Sequence, residues 1–208
     1  MKQGRLAGKV AILTGAAPQG PGIGNGSAVA ILFAREGAQV VLVNWSEQHA
    51  RALQRTIEDE GGDCTVCLAD VTRASEAERL VETTIQRYGK LDILHNNVGG
   101  IAGSGSRMVE LTEDAWDRCM AANLKSMMLC CKYSIPRMLE EVESPLIVAV
   151  QGEEVLEKRR RAIPLQTAGT GWDVGWAAVY LASDESRWVT GIELPIGGGQ
   201  LRILERPR

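Results

Sequence analysis

The chain has 208 residues, 45% of them hydrophobic and 24% charged, with a formal net charge of -3. That length bounds one domain with a real core, and the acidic balance argues against a general binder of nucleic acid or anionic membrane. No apolar run reaches the ~20 residues of a membrane span, "MKQGRLAGKV" lacks the apolar core of a signal peptide, and five irregularly spaced cysteines fit a reducing, cytoplasmic setting.

In chain order, Val10 to Thr14 reads as a short buried strand, and Ser27 to Arg35 as a helix that stops at Gly37. "AQVVLVN" (38–44) is a continuous β-branched run and reads as a second strand. "SEQHARALQRTIEDEGG" is an amphipathic helix ended by a glycine pair. A third strand, "DCTVCLADV" (63–71), a third helix, "SEAERLVETTIQRYGK", and a fourth strand, "LDILHNNVGG" (91–100), follow. Strands apolar throughout, alternating with helices, predict a parallel sheet covered on both faces, with its ligand crevice at the carboxyl ends of the strands.

A long helix is expected from Thr112 to about Glu141, with acidic residues in its first turn. "SPLIVAV" (144–150) reads either as a fifth strand or as part of an irregular lid. A charged helix (152–161), a helix "DVGWAAVYLASDE" (173–185) and a last strand in "GIELPIGGG" (191–199) complete the order. The basic run Lys158 to Arg161 lies among Glu153, Glu154 and Glu157 and reads as a solvated face.

Cys64 and Cys67 form a lone C-x-x-C in a strand, where residues three apart point to opposite faces. They read as buried apolar thiols, not a metal or redox pair. His49 and His95 belong to no zinc-like spacing, and no metal site is expected. Trp172, Trp176 and Trp188 read as core or subunit contacts, not as a platform for bases.

"TGAAPQGPGIG" (14–24) sits between the first strand and the first helix. Glycines admit close approach of an anion, and the helix behind them offers free N–H groups. A phosphate-binding P-loop would need Lys-Ser/Thr after Gly20, where Pro21 and Gly22 stand, so that reading fails. A dinucleotide loop keeps its required strand and helix.

This loop resembles the T-G-x-x-x-G-x-G loop of the short-chain dehydrogenase/reductase family. "LADVT" (68–72), "NNVG" (96–99), "MAANLKSMM" (120–128) and "IPLQTAGTGWDVGWAAVYLASDESRWVTGIELPIGGG" resemble four further motifs of that family, in its order, over most of residues 6 to 199. The resemblance implies a Rossmann-like, doubly wound α/β domain: a nucleotide-binding half over 6–141, a lid with the C-terminal helix and strand over 144–199, and a tail over 200–208. It further implies that Gly15, Gly22, Ile23 and Gly24 line a pyrophosphate, Asp70 and Val71 hold an adenine, and Asn97 and Gly99 border the nicotinamide-side ribose. Asn123 would be the family's structural and catalytic asparagine. The cofactor would be NADP or NAD. An acidic residue closing the second strand would favour NAD. Asn44 stands there instead and leans the choice towards NADP.

The chain departs from the family in two places. The glycine loop has three extra residues between Gly15 and Gly22. More consequentially, the family's alcohol–carbonyl chemistry uses a serine and a Tyr-x-x-x-Lys, the lysine lowering the tyrosine's pKa for proton exchange. Tyr88, Tyr133 and Tyr180 are followed at the fourth position by Asp92, Arg137 and Asp184, so no such pair exists. After Glu141 the family's fifth strand, catalytic helix and sixth strand have no evident counterpart. "SPLI" resembles the start of the following lid more than a strand, a truncation by about two strands and a helix.

Such a loss would leave an exposed edge on the fourth strand and strand "GIELPI" without its partner, unless residues 146–150 fill the gap or a second chain supplies it. Two functions follow from the resemblance. One is an oxidoreductase interconverting an alcohol and a carbonyl. The other is a non-catalytic NAD(P)-binding or oligomer-partner protein. The family resemblance also implies a homo-oligomer, or pairing with a related chain, through the long helix.

Overall fold

A computed structural model gives the fold and describes residues 4–17, 22–100, 108–141, 146–149 and 169–197. Five strands, β1 (Val10–Thr14), β2 (Gln39–Asn44), β3 (Asp63–Leu68), β4 (Ile93–Asn96) and β5 (Leu146–Ala149), form one sheet in the order β3-β2-β1-β4-β5. Every pairing is parallel. The helices are α1 (Asn25–Arg35), α2 (Glu47–Asp59), α3 (Ala74–Tyr88), α4 (Glu113–Met120), α5 (Ser126–Glu141) and α6 (Gly171–Ala182). A π-helical turn, Ala121–Lys125, joins α4 to α5 into one long rod. This is the doubly wound, Rossmann-like arrangement expected from the alternation of apolar runs and amphipathic segments.

Alternation along each strand divides the interior in two. On one face Ala11, Leu13, Val40, Leu42 and Ile93 pack under α1, α2 and α6, with Phe33 and Val179 fully buried. On the other, Ile12, Val41, Val43 and Leu94 pack under α3 and α5, against Leu80 and Met138. Burying both faces is why the strands are apolar throughout. Cys64 falls in the first core and Cys67 in the second, as their spacing requires. Burial pushes the Cys64 thiol up to about 12 and raises that of Cys67. Neither is poised as a thiolate.

Helix ends follow local chemistry. Gly37, at φ 87°, turns the chain out of α1, and its N–H bonds the Ala34 carbonyl at 3.0 Å. The Thr112 hydroxyl accepts from the Ala115 N–H at 3.2 Å and starts α4. The end of α6 is tied to the amino edge of the sheet by the Arg5–Glu185 and Lys9–Asp184 ion pairs.

In the second half one open alternative is decided and one expectation is corrected. Residues 146–149 are a strand rather than the start of a lid, in register with β4 from Ile93↔Leu146 to Asn96↔Ala149. The β4 edge is therefore covered, because the backbone of residues 146–149 pairs with its ladder groups. The last strand does not form over 191–197. This segment is exposed, carries no sheet pairing, and includes Pro195, which has no N–H to offer a ladder. The predicted charged helix (152–161) and the tail (200–208) lie outside the described residues. No helix among the described residues is long and apolar enough to cross a membrane.

His95 is the odd residue of the sheet. It is fully buried on β4, its ring centroid 6.3 Å from that of Phe33, and neither ring nitrogen has a hydrogen-bond partner among the described residues. Burial holds its pKa down at about 4, against an ordinary 6.5. Between these values the unfolded chain binds the proton and the folded chain resists it, so stability falls as pH drops from about 6.5 towards 4. The loss is on the order of 3 kcal/mol. Urea unfolding across this window should show that slope in the wild type and a flatter one in His95→Leu. Equal slopes would contradict the assignment.

Candidate functional site

The carboxyl ends of β1 and β4 are adjacent, and the connections that leave them run in opposite directions, from β1 to β2 and from β4 to β5. A crevice opens at such a switch point. Its floor is a backbone contact. Gly15 adopts φ +64°, and a side chain there would lie 3.1 Å from the Val98 N and Cα. Only glycine meets both the sign of φ and the space.

Thr14 and Asn97 hold the two loops together. The Thr14 hydroxyl accepts from the Asn97 N–H at 3.1 Å and the Val98 N–H at 3.4 Å, and donates to the His95 carbonyl at 3.4 Å. The Asn97 amide donates to the Gly15 carbonyl at 2.8 Å. Gly26, one residue into α1, completes the lock. A Cβ there would stand 2.5 Å from Asn97 Nδ2 and 2.6 Å from the Gly15 carbonyl oxygen. Ser27 donates to the Ala16 carbonyl at 2.8 Å from the same turn.

Gly24 is the N-cap of α1, with no side chain capping it and no acidic residue in the first turn. The first N–H groups of a helix have no partner within it, and its amino end carries a partial positive charge, chemistry that suits a phosphate. Gly22, at φ +103°, has no atom of the described residues within 4 Å of where a side chain would start, and Ile23 is half exposed. Among the described residues Asn25 Oδ1 is buried without a partner, and a bound polar group would satisfy it. The residues present therefore fit a dinucleotide pyrophosphate.

Further along the carboxyl edge, Asn44 is buried and committed. Its amide donates to the Ala17 carbonyl at 2.9 Å, and its Oδ1 accepts from the Ser46 N–H at 2.8 Å. It ties β2 to the glycine loop as a neutral group. Trp45 beside it is exposed. Asp70 accepts from the Thr72 hydroxyl at 2.6 Å and N–H at 3.0 Å, which holds its carboxyl below the ordinary range. Val71 is buried in the α3-side core.

Asn123 lies in the π turn, a helical irregularity frequent at functional positions. Its Oδ1 accepts from the Gly100 N–H at 3.1 Å, and its Nδ2 donates to the Gly100 carbonyl at 2.7 Å and the Cys119 carbonyl at 2.8 Å. Gly99 is held close by; a Cβ on it would be 2.9 Å from Asn123 Oδ1. Asn123 thus clamps the loop after β4 to the long helix.

The three tyrosines are engaged elsewhere. Tyr88 shares a 2.7 Å hydrogen bond with Thr65, Tyr133 packs in the α3-side core beneath Lys132, and Tyr180 faces outward on α6. Among the described residues no group of three or more His, Cys, Asp or Glu could hold a metal ion.

The crevice thus gathers Gly15, Gly24, Asn97 and Gly99 with Asn123 behind them, and Asn44 and Asp70 along the edge. Thr14 and Gly26 were not singled out from the sequence, although "GPGIGNG" shows the extra glycine. The packing it must permit becomes visible only when α1 meets Asn97.

The family model for short chain dehydrogenase matches residues 9–159, and one for Enoyl-(Acyl carrier protein) reductase matches 142–200. A crystal structure described as a short-chain dehydrogenase/reductase from Burkholderia xenovorans is 33% identical and superposes with a TM-score of 0.87, over 97% of this chain and 100% of that one. The 2,5-dichloro-2,5-cyclohexadiene-1,4-diol dehydrogenase LinX of Sphingobium indicum is 27% identical, over 94% of this chain and 97% of its own. The 3-oxoacyl-[acyl-carrier-protein] reductase FabG of Thermotoga maritima is also 27% identical, over 94% and 98%. Both alignments run over 249 residues against the 208 of this chain, so stretches of each relative have no counterpart here.

Gly26→Ala should force Asn97 off the Gly15 carbonyl and cost about 1–3 kcal/mol in chemical denaturation. Unchanged stability would show that the α1 turn has room the geometry denies.

Proposed function

Since the chain belongs to the short-chain dehydrogenase family of NAD(P)-dependent oxidoreductases, we propose that it binds a nicotinamide dinucleotide in this crevice but has lost the group that exchanges the substrate proton. One observation carries the reading. The glycine turn, the uncapped α1 and the Asn97 clamp are in place, while no Tyr-x-x-x-Lys occurs in the sequence.

The roles follow from the residues. Gly15, Gly22, Ile23 and Gly24 would admit the pyrophosphate, with the first turn of α1 donating to it. Asp70 would accept from the adenine, Val71 shaping the wall behind it. Asn97 and Gly99 would border the ribose next to the nicotinamide. When bound, the nicotinamide supplies or accepts hydride.

Hydride delivered to a carbonyl leaves an oxygen that needs a proton. A positioned acid contributes roughly 10²–10⁴-fold to such a step. Here Asn123 is occupied by Gly100 and Cys119, and no phenol stands four residues before a lysine.

Asn44 supports NADP over NAD. It is uncharged and its acceptor is already used by Ser46, so nothing there repels a 2′-phosphate as a carboxylate would. A subunit role suits what remains. Trp116, Met120, Leu124 and Met128 recur every four residues along the α4–α5 rod and are all exposed. Such an apolar stripe suits a second copy or a related chain.

Calorimetric titration should show saturable binding of NADPH, tighter than NADH. Turnover of alcohols or carbonyls should fall at least about 100-fold below intact relatives. Family-like turnover would overturn the loss of catalysis, and no binding of either dinucleotide would overturn the cofactor reading.

A further inference from the structure

The N-terminus of α6 reaches the crevice from the far end of the chain. A Cβ on Gly171 would lie 3.0 Å from the Gly24 carbonyl oxygen, 3.1 Å from its carbon and 3.2 Å from Ala28 Cβ. The Gly24 carbonyl also accepts the first hydrogen bond of α1, from the Ala28 N–H at 3.0 Å. That carbonyl and the Asn25 N–H belong to one rigid planar peptide unit. The Asn25 N–H is in the first turn of α1, where N–H groups have no partner within the helix. Whatever fixes the carbonyl therefore aims the N–H.

We propose that Gly171 is a positioning residue for the dinucleotide loop: its missing side chain lets α6 seat against the Gly24–Asn25 peptide and fix the donor it presents. This inference rests on the reading of the crevice as a dinucleotide site. The seat is stiff at that end. Asp173 accepts from the Thr170 N–H at 2.7 Å and hydroxyl at 2.9 Å, closing a capping box around the first turn of α6. These bonds hold the Asp173 carboxyl below its ordinary range. Arg35 lies over the Trp172 ring at 5.3 Å and ties the two helices from the side.

Gly175, one turn further along, supplies a control. A Cβ there would meet Leu32 Cδ1 at 2.6 Å, the movable tip of a side chain, and Ala28 backbone only at 3.4 Å. Both glycines bring α6 close to α1, but only Gly171 touches the peptide at the crevice. A purely structural role would make the two equivalent. A positioning role separates them, because affinity then depends on residue 171 and helix packing on both.

The test compares Gly171→Ala and Gly175→Ala with the wild type by NADPH titration and thermal unfolding. Gly171→Ala should weaken NADPH about tenfold, the equivalent of one charge-assisted hydrogen bond misaimed, and both variants should unfold at a lower temperature than the wild type because each crowds α6 against α1. Gly175→Ala should bind within about threefold of the wild type. Equal affinity in all three proteins, or an equal loss in both variants, would overturn the assignment.

Amide exchange without ligand provides the second readout. The Ala28 N–H should exchange faster in Gly171→Ala than in Gly175→Ala, and equal rates would count against the seat. If the wild type bound no dinucleotide, the cofactor reading would fall, and the exchange comparison alone would still decide whether Gly171 sets the Gly24 peptide.

Discussion

The site depends on one close approach of two backbones, the Gly15 turn after β1 against Val98 after β4. It needs glycine at 15 for the left-handed turn and glycine at 26 so that α1 can press on Asn97. Thr14 then bonds across the gap, and Asn97 closes it from the other side. With those loops fixed, α1 presents its amino end to the crevice, and Asn44 and Asn123 tie the neighbouring loops to the same frame.

The sheet beneath accepts an irregular right-hand end. β5 takes the place beside β4, which satisfies the ladder groups that would otherwise be bare. Beyond it no strand forms over 191–197, where Ile192, Leu194 and Ile196 stay exposed. A two-faced core tolerates this because α1 and α6 pack on each other over one face, and α3 and α5 cover the other.

The first four strands and the helices around them were legible because each is a short apolar run or an amphipathic period bounded by glycine. Residues 146–149 were not, since Leu-Ile-Val-Ala suits a strand, yet its neighbourhood resembles a lid. Only the open β4 edge decides. Residues 191–196 failed for the converse reason: strand-like residues make no strand without a neighbour to pair with. In the site, Gly15, Asn97 and Asn123 were legible from motif spacing. Asn44 was legible as a position but not in its bonds, because its partner Ala17 lies 27 residues away in the glycine loop. Gly26 and Gly171 matter through the atoms they leave room for, and a sequence does not display absent volume.

The central claim is that the crevice between the Gly15 turn and the β4 loop holds the dinucleotide without the chemistry to use it. The most direct measurement is a ¹⁵N amide chemical-shift map of the chain on addition of NADPH. The account predicts shifts concentrated at Gly15 to Ala17, Gly24 to Ala28 and Asn97 to Gly100, with the nicotinamide remaining reduced when a carbonyl compound is added. Shifts centred on another surface, or oxidation of the nicotinamide at the rate of an intact relative, would contradict it.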